Sequence, residues 1–458
     1  MALEKNPSSF RDPSGYVFAF CGEIYRNIDR CYEEDYKYLE QSGLLQKLFD
    51  RELLVRHERV ELSELHDQVN FAIIKPEKIA VITYPYEWSF SQLKNAALLT
   101  LEILALSLEH DIILKDASAY NVQFKGYKPV FIDTLSFTKY EEGQPWGGYK
   151  QFCEHFLAPL LLSHYRGAWY QPLLKVNVDG IPLPFTSSLL PIRSWFRSSA
   201  LFHIHLHAKS ISHYQNKSAK NSKIKNKVSK MNLLAMVNHL KNSIQNLTLN
   251  RSLKTEWQDY DRQTHYTLQE REKKTRTVLE FVNRVNPLTI WDLGANDGFF
   301  SRVVNAPHRI VLSMDSDPMA IEKNFSYTAQ EKITTIYPLV FDATNPSPAL
   351  GWANSERSRL IDRSSPDMIM ALAVIHHLTI THNIPFGKVA EYMQSLAKWL
   401  IIEFVPEEDD KIKPLPDTAG KKLYNRQNFN KGFLDYFDLI EEKAVTNPGR
   451  SVLLLKRK

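Results

Sequence analysis

The sequence predicts an α/β fold for residues 251–458, built on a mainly parallel sheet, and a separate α+β domain for residues 1–205. Three observations support the α/β assignment. A glycine-rich turn joins an apolar strand to a helix at residues 289–304, further apolar strands alternate with helical stretches up to the C-terminus, and acidic residues end or follow three of these strands. Apolar strands that alternate with helices indicate a sheet covered by helices on both faces.

The turn at residues 289–298 reads Thr-Ile-Trp-Asp-Leu-Gly-Ala-Asn-Asp-Gly. Glycine allows a sharp backbone turn and a close approach to a ligand, and the following helix offers free N–H groups at its start. A dinucleotide fingerprint has Gly-x-Gly-x-x-Gly, whereas this turn has Asp-x-Gly-x-x-x-Gly. The turn resembles motif I of class I S-adenosylmethionine (SAM) methyltransferases. The resemblance implies that Asp292, Gly294, Asn296 and Gly298 bind SAM.

Two further acids stand at the ends of the next two predicted strands. Asp315 ends the strand at 310–315, where a carboxylate accepts hydrogen bonds from both hydroxyls of a ribose. Asp342 and Ala343 follow the strand at 336–341, and the family resemblance implies that an acid here faces the adenine amino group. The alternative is a generic doubly wound domain in which these acids only cap strands.

The remaining pattern extends the resemblance over residues 275–458. Apolar strands and helical stretches continue in alternation, with strands at 367–374 and 400–405 and helices at 318–331, 385–399 and 426–437. A hairpin is predicted at 438–455. In the family, a hairpin at this point closes a Rossmann-like, seven-stranded sheet and makes one strand antiparallel.

Two adjacent histidines, His376 and His377, follow the fourth predicted strand, where the acceptor pocket of this fold opens. A neutral oxygen or nitrogen acceptor needs a base at the point of attack, and histidine takes a proton near neutral pH. We expect one of them to act as a base and the other to position the acceptor; the alternative is that one caps the strand and the other packs inward. Glu403 lies inside an apolar run and needs a partner. One of the histidines is a candidate, but the spacing typical of a metal site is missing, so we predict no metal.

The N-terminal domain carries a different set of polar residues. Asp116, Asn121 and Asp133 resemble, in order and spacing, the catalytic core of kinase-like folds of the aminoglycoside- and sugar-kinase branch. The resemblance implies that Asp116 orients an acceptor hydroxyl, while Asn121 and Asp133 hold Mg²⁺ against the phosphates of ATP. Asp133-Thr-Leu replaces Asp-Phe-Gly, and a glycine-rich phosphate loop is missing from the sequence before it. Three alternatives stay open: capping residues only, a reduced kinase-like fold used for binding or scaffolding, or an active phosphotransferase.

A basic segment separates the two domains. Residues 180–255 contain twelve Lys and Arg and no Asp or Glu. Its lysine-rich centre, with Ser, Asn and Gln, predicts a flexible linker over residues 206–250. An anionic partner is one interpretation and a solvated hinge is the other. The preceding residues 182–207 are apolar, aromatic and basic, a composition that suits either a membrane surface or the last packed helices of the N-terminal domain.

Composition indicates a cytoplasmic protein. The three cysteines have no paired or metal-ligand spacing, which fits a reducing compartment. The N-terminus has no signal-peptide pattern, and no apolar run reaches the ~20 residues that a transmembrane helix needs.

The whole-chain layout resembles bacterial nodulation-protein-like two-domain methyltransferases. This resemblance implies a SAM-dependent enzyme that methylates an oxygen or nitrogen of a glycan or other small-molecule precursor. Two alternatives are a sugar or small-molecule kinase with an accessory methyltransferase domain, and a SAM-binding protein without catalysis.

Overall fold

The computed structural model describes residues 3–62, 71–170, 172–216, 227–250, 267–410, 412–415, 417–446 and 449–458. The chain forms two compact units. Unit 1 contains Met1–Leu253 together with Pro348–Ser358, and unit 2 contains Lys254–Ser347 and Arg359–Lys458. Among the described residues, no helix has both the length and the apolar character needed to span a bilayer.

Unit 1 combines small antiparallel sheets with many helices. Its strands are β1 (Glu4–Lys5), β2 (Gly15–Phe20), β3 (Glu23–Ile28), β4 (His57–Val60), β5 (Ala72–Pro76), β6 (Ile112–Leu114), β7 (Val122–Lys125), β8 (Lys128–Phe131) and β9 (Phe137–Lys139). Five of them form a sheet in the order β1-β2-β3-β5-β4, while β6 pairs with β9 and β7 with β8. The unit is therefore α+β, as predicted.

The helices of unit 1 are α1 (Glu33–Gln41), α2 (Leu44–Asp50), α3 (Phe90–Glu109), α4 (Tyr149–Phe152), α5 (Ala158–Arg166), α6 (Leu173–Val176), α7 (Leu183–Leu189), α8 (Ser198–Ala200), α9 (His207–Asn216) and α10 (Lys230–Gln245). Ser89 caps the start of α3, and its side chain accepts a hydrogen bond from the Gln92 N–H. Most residues of α3 are buried. A buried helix of this length lets several elements share one core.

The structure differs from the predicted basic linker over residues 206–250. Helices α9 and α10 occupy much of this range, and unit 1 continues past residue 205. Leu233, Val237, Leu240 and Ile244 are buried at helical spacing, and α10 packs on α3. The composition did not predict this helix because the prediction rested on the lysine-rich stretch before α10 and not on the apolar stripe of α10 itself. The centre of the lysine-rich stretch, 217–226, lies outside the described residues.

A short segment of the C-terminal sequence belongs to unit 1. In Pro348–Ser358, the buried Glu356 carboxylate accepts hydrogen bonds from Arg11 Nε at 2.7 Å and Nη2 at 2.9 Å. The Arg357 guanidinium lies 3.9 Å from the centre of the Tyr120 ring. Burial by itself would raise the pKa of Glu356, but the hydrogen bond from Arg11 and the other partners outweigh burial, and the pKa is lowered. The pair is therefore ionised at neutral pH. No feature of the sequence predicted that these residues belong to unit 1 and not to the domain of the seven-stranded sheet.

Unit 2 is built on one twisted sheet. Its strands are β10 (Thr289–Leu293), β11 (Ile310–Asp315), β12 (Ile336–Val340), β13 (Met368–Ala371), β14 (Trp399–Phe404), β15 (Phe437–Ala444) and β16 (Ser451–Arg457). They lie in the order β12-β11-β10-β13-β14-β16-β15. Strands β10 to β14 run parallel, and β16 is antiparallel to both of its neighbours. This order confirms the predicted seven-stranded sheet with a closing hairpin, which is the sheet of class I methyltransferases.

Helices cover both faces of this sheet. They are α11 (Leu268–Val285), α12 (Phe299–Val303), α13 (Pro318–Gln330), α14 (Leu360–Arg363), α15 (Phe386–Leu396), α16 (Ala419–Leu423) and α17 (Arg426–Leu434). Helix α11 inserts Val278, Phe281 and Val282 into a core that contains Ile290 and Met370. Because the strands around β10 are parallel, their carboxyl ends meet at one edge, where ligands bind in open α/β sheets.

Candidate functional site

The turn after β10 depends on two glycines. Gly294 and Gly298 have φ angles of +70° and +79°, which side chains other than glycine rarely adopt. A Cβ atom on Gly294 would lie 2.3 Å from Val374 Cγ2, and one on Gly298 would lie 2.3 Å from Asn324 Oδ1. The turn therefore packs directly against the loop after β13 and against α13. These contacts hold the end of β10 next to the end of β13 and next to α13, the helix that follows β11.

Asp292 lies beneath this turn. Its carboxylate is buried and accepts a hydrogen bond of 2.6 Å from Ser301 Oγ on α12. Ser301 Oγ is in turn 2.6 Å from Ser313 Oγ on β11, and Asn324 Nδ2 donates to Ser313 Oγ. Burial raises the pKa of Asp292 to about 7. The acid thus anchors a polar chain that joins β10, β11, α12 and α13.

Asp315 ends β11 and faces the same turn. Its two carboxylate oxygens accept hydrogen bonds of 2.9 Å from the backbone N–H of Asn296 and of Asp317. Burial raises the pKa of Asp315 to about 6, and the two N–H groups partly offset this effect. Each oxygen keeps a further lone pair, as the proposed grip on a ribose diol requires.

Asp342 and Ala343 follow β12, as the sequence predicted. The Asp342 carboxylate is exposed and accepts hydrogen bonds from the Thr344 N–H at 2.8 Å and from Thr344 Oγ1 at 2.6 Å. Phe341 packs edge-on against Trp291, with ring centres 6.3 Å apart. The turn therefore holds the Asp342 side chain in one orientation while leaving lone pairs available.

These groups surround one cavity of about 390 Å³. Its walls include every residue predicted to bind SAM except Gly298, which lies in the same turn; the wall residues among them are Asp292, Gly294, Asn296, Asp315, Asp342 and Ala343. A cavity of this size falls in the range of small-molecule and cofactor sites. The carboxylates offer acceptors, the turn N–H groups offer donors and the aromatic rings offer apolar surfaces, a combination that suits an adenosyl group.

The two adjacent histidines have different surroundings in the structure. His377 lines the cavity, whereas His376 is buried with 3 % of its surface exposed. A π-helical turn, His377–Thr381, begins directly after His376 and rotates the following side chains toward the cavity. Such turns are common at functional sites. The turn also places His382 in the wall, a residue that sequence reasoning missed.

Two cations in the cavity wall were not predicted either. Arg271 and Lys274 on α11 line the cavity, and the Arg271 guanidinium lies 4.1 Å from the centre of the Phe299 ring. Lys274 Nζ is 2.7 Å from the buried Glu403 carboxylate, which also lies 3.8 Å from Arg450 Nη1. Glu403 therefore has partners, as expected: the cation Lys274 on α11 and the cation Arg450, which directly precedes β16. Within the described residues, no group of three or more His, Cys, Asp or Glu has an arrangement that would hold a metal ion.

Asp116, Asn121 and Asp133 of unit 1 also meet. Asn121 Nδ2 lies 3.2 Å from Ser136 Oγ, and Ser136 Oγ donates to the Asp133 carboxylate. Burial raises the pKa of Asp116, and the nearby Asp133 acts in the same direction. Arg26 Nη1 on β3 lies 2.5 Å from Asp133 Oδ1, so a cation of the protein already occupies part of this site.

The chain matches no protein-family model. It is 35% identical over 459 residues to nodulation protein NoeA of Rhizobium meliloti (strain 1021), with 98% of this chain and 95% of that protein covered. The N-methyltransferase NodS from Bradyrhizobium japonicum WM9, solved with S-adenosyl-L-homocysteine, matches with a TM-score of 0.33, 13% identity, and coverage of 44% of this chain and 97% of that chain. The bifunctional kinase-methyltransferase WbdD matches with a TM-score of 0.30, 17% identity, and coverage of 45% and 43%.

We predict that Gly294→Ala weakens SAM binding at least about tenfold, which corresponds to about 1.4 kcal/mol of binding free energy. The added methyl group strains a left-handed residue and collides with Val374, so the turn must move out of the cavity. Isothermal titration calorimetry with SAM measures the effect, and thermal unfolding of the free protein checks the fold. Gly387→Ala is the matched control because a Cβ there meets no atom within 4 Å. Unchanged SAM affinity in Gly294→Ala would contradict the site assignment.

Proposed function

The chain belongs to the family of nodulation protein NoeA and carries a class I methyltransferase domain; from this premise we propose that it transfers a methyl group from SAM to an oxygen or nitrogen of a glycan or other small-molecule precursor. SAM supplies a methyl group that is electrophilic because the sulfonium bears a positive charge. The observation that supports the proposal most strongly is that one cavity is lined by Asp292, Asp315 and Asp342 together with His377.

The SAM side of the cavity is formed by rigid groups. Asp315 is held by two backbone N–H groups, and Asp292 by Ser301. In the proposed complex, Asp315 accepts from the two ribose hydroxyls and Asp342 faces the adenine amino group. Arg271, which lines the same cavity, has the charge needed to bind the methionine carboxylate. Groups held in place before the ligand arrives lose little conformational entropy on binding.

The acceptor side is formed by the π-helical turn. His377 and the exposed Thr381 and His382 line the cavity there. In the proposal the lone pair of the acceptor hydroxyl or amine attacks the methyl group, the S–CH3 bond of SAM breaks, and S-adenosylhomocysteine leaves. His377 takes the proton that the acceptor loses. We propose His377 as the base of the pair because it lines the cavity, whereas His376 is buried and absent from the cavity wall. Exposure of Thr381 and His382 leaves an entrance for an acceptor that is larger than the cavity itself.

A second candidate function is phosphotransfer by unit 1, with ATP–Mg²⁺ as its cofactor. The observation that favours it is that Ser136 bridges Asn121 and Asp133, while Asp116 lies close to both of these residues. The contact between Arg26 and Asp133 opposes it, because Mg²⁺ would have to displace the guanidinium. Calorimetry with ATP–Mg²⁺ tests this candidate. We expect no binding to the wild-type protein; a saturable heat that Asp133→Ala removes would instead support a kinase-like site.

The methyl-transfer proposal is tested by His377→Asn. We predict that this variant keeps its affinity for SAM but methylates its acceptor about 10²-fold or more slowly, which is the usual contribution of a general base. A strain that lacks the gene is complemented with wild-type protein, His377→Asn, or the control His308→Asn. His308 is an exposed residue of the same unit outside the cavity wall.

Untargeted mass spectrometry then compares the small molecules of the three strains. Wild type and His308→Asn should remove a species that is lighter than its product by one methylene, and His377→Asn should accumulate it. Full complementation by His377→Asn would show that His377 is not the base. Loss of SAM binding by the purified variant would instead place His377 on the SAM side.

A further inference from the structure

Unit 1 exposes large apolar side chains in one short part of the sequence. The exposed fractions are 44% for Phe185, 81% for Ile192, 87% for Phe196, 55% for Phe202 and 43% for Leu206. All five lie between the start of α7 and the start of α9. Single exposed apolar residues are ordinary, but five within 22 residues indicate an interaction surface. We call these five residues the apolar face.

The apolar face rests on a fixed scaffold. His205 in the π-helical turn Leu201–Leu206 is fully buried, and its ring nitrogens lie 2.8 Å from Ser187 Oγ on α7 and 2.8 Å from Ser194 Oγ in the turn Ile192–Phe196. The Trp195 ring stacks on the His205 ring at 4.1 Å with 7° between their planes. Burial lowers the pKa of His205, which keeps its imidazole neutral and able both to donate and to accept. His205 therefore joins the three segments that carry the exposed side chains: α7, the turn Ile192–Phe196 and the π-helical turn Leu201–Leu206.

Cationic side chains accompany the apolar face. Arg193, Arg197 and Lys209 are exposed within the same segment, and Lys209 Nζ lies 4.7 Å from the centre of the Trp195 ring. The sequence from 180 to 255 contains no acid, so no carboxylate of this segment neutralises them. Apolar side chains flanked by Arg and Lys suit a surface that is negatively charged outside and hydrocarbon inside.

We propose that the apolar face docks on the surface of an anionic lipid bilayer. Ile192, Phe196, Phe202 and Leu206 enter the boundary between headgroups and acyl chains, while Arg193, Arg197 and Lys209 contact lipid phosphates. A second copy of the chain is a poorer occupant, because two faces of the same positive charge repel each other. A nucleic acid is poorer too, because bases would stack on the phenylalanine rings but would leave the aliphatic Ile192 and Leu206 exposed to water. The inference is independent of the methyl-transfer proposal.

Vesicle sedimentation of the full chain tests the inference. The wild-type protein should sediment with phosphatidylcholine vesicles that contain phosphatidylglycerol, and at least about tenfold less with phosphatidylcholine alone, since each basic residue near an anionic surface adds to the attraction. High salt should weaken binding because it screens the phosphate charge. Ile192→Ser combined with Phe196→Ser should reduce binding to anionic vesicles at least about tenfold, since hydrocarbon insertion is lost.

The matched control is Leu268→Ser combined with Leu423→Ser, which removes two leucines of 81% and 61% exposure from unit 2. This variant should bind vesicles like wild type. Circular dichroism and thermal unfolding confirm that both double variants are folded, as expected for changes at exposed positions. The double variant Arg193→Gln/Arg197→Gln should lose the preference for anionic lipid while its apolar side chains remain.

Three outcomes would overturn the inference. The first is equal sedimentation of wild type and Ile192→Ser/Phe196→Ser with anionic vesicles. The second is a concentration-dependent dimer of the wild-type protein that this variant abolishes without any vesicle binding, which would make the face a contact between copies. The third is binding of polyuridylate by wild type, lost in Arg193→Gln/Arg197→Gln, in the absence of vesicle binding.

Discussion

The close approach of the turn after β10 to the loop after β13 is the constraint on which the rest of the site depends. Gly294 and Gly298 have positive φ angles, and at both positions a Cβ would overlap a neighbouring side chain. Because the turn fits there, the Asn296 N–H reaches Asp315 and the carboxylate of Asp292 faces the cavity from below. A side chain at either glycine would separate groups that have to contact one small ligand.

Three acidic side chains of unit 2 are buried, and they differ in how their charge is compensated. Asp292 and Asp315 are desolvated, and burial raises both of their pKa values. Glu403 is buried as well, but Lys274 and Arg450 compensate its charge. Breaking such a buried pair typically costs about 3–5 kcal/mol, so Glu403 fixes α11 against the sheet. The aspartates have hydroxyl and N–H partners instead of a paired cation. A cationic sulfonium and the donors of a ribose would complete their surroundings, which is why these acids suit ligand binding and Glu403 suits packing.

Sequence reasoning found the features that local pattern controls. The strands of unit 2, the closing hairpin and the strand-end acids follow from runs of apolar residues and from the glycine spacing, and the structure has them in the predicted order. It did not find features set by distant contacts. The lysine-rich stretch before α10 led to the prediction of a linker there, and Pro348–Ser358 joins unit 1 through partners such as Arg11 that are far away in the sequence. Which of His376 and His377 lines the cavity depends on a π-helical turn, which leaves no clear signal in the sequence.

SAM binding by unit 2 should depend on Asp292 and Asp315 in their ionised form. Calorimetric titration with SAM between about pH 8 and about pH 5 tests it most directly, since these groups lose charge when protons bind. Burial raises the pKa of Asp292 to about 7 and that of Asp315 to about 6, and the proposed complex needs both carboxylates in the ionised form. The account predicts the highest affinity above about pH 7 and a progressive loss as the pH falls through about 6. Failure to bind SAM at about pH 8, or equal affinity over the whole range, would contradict it.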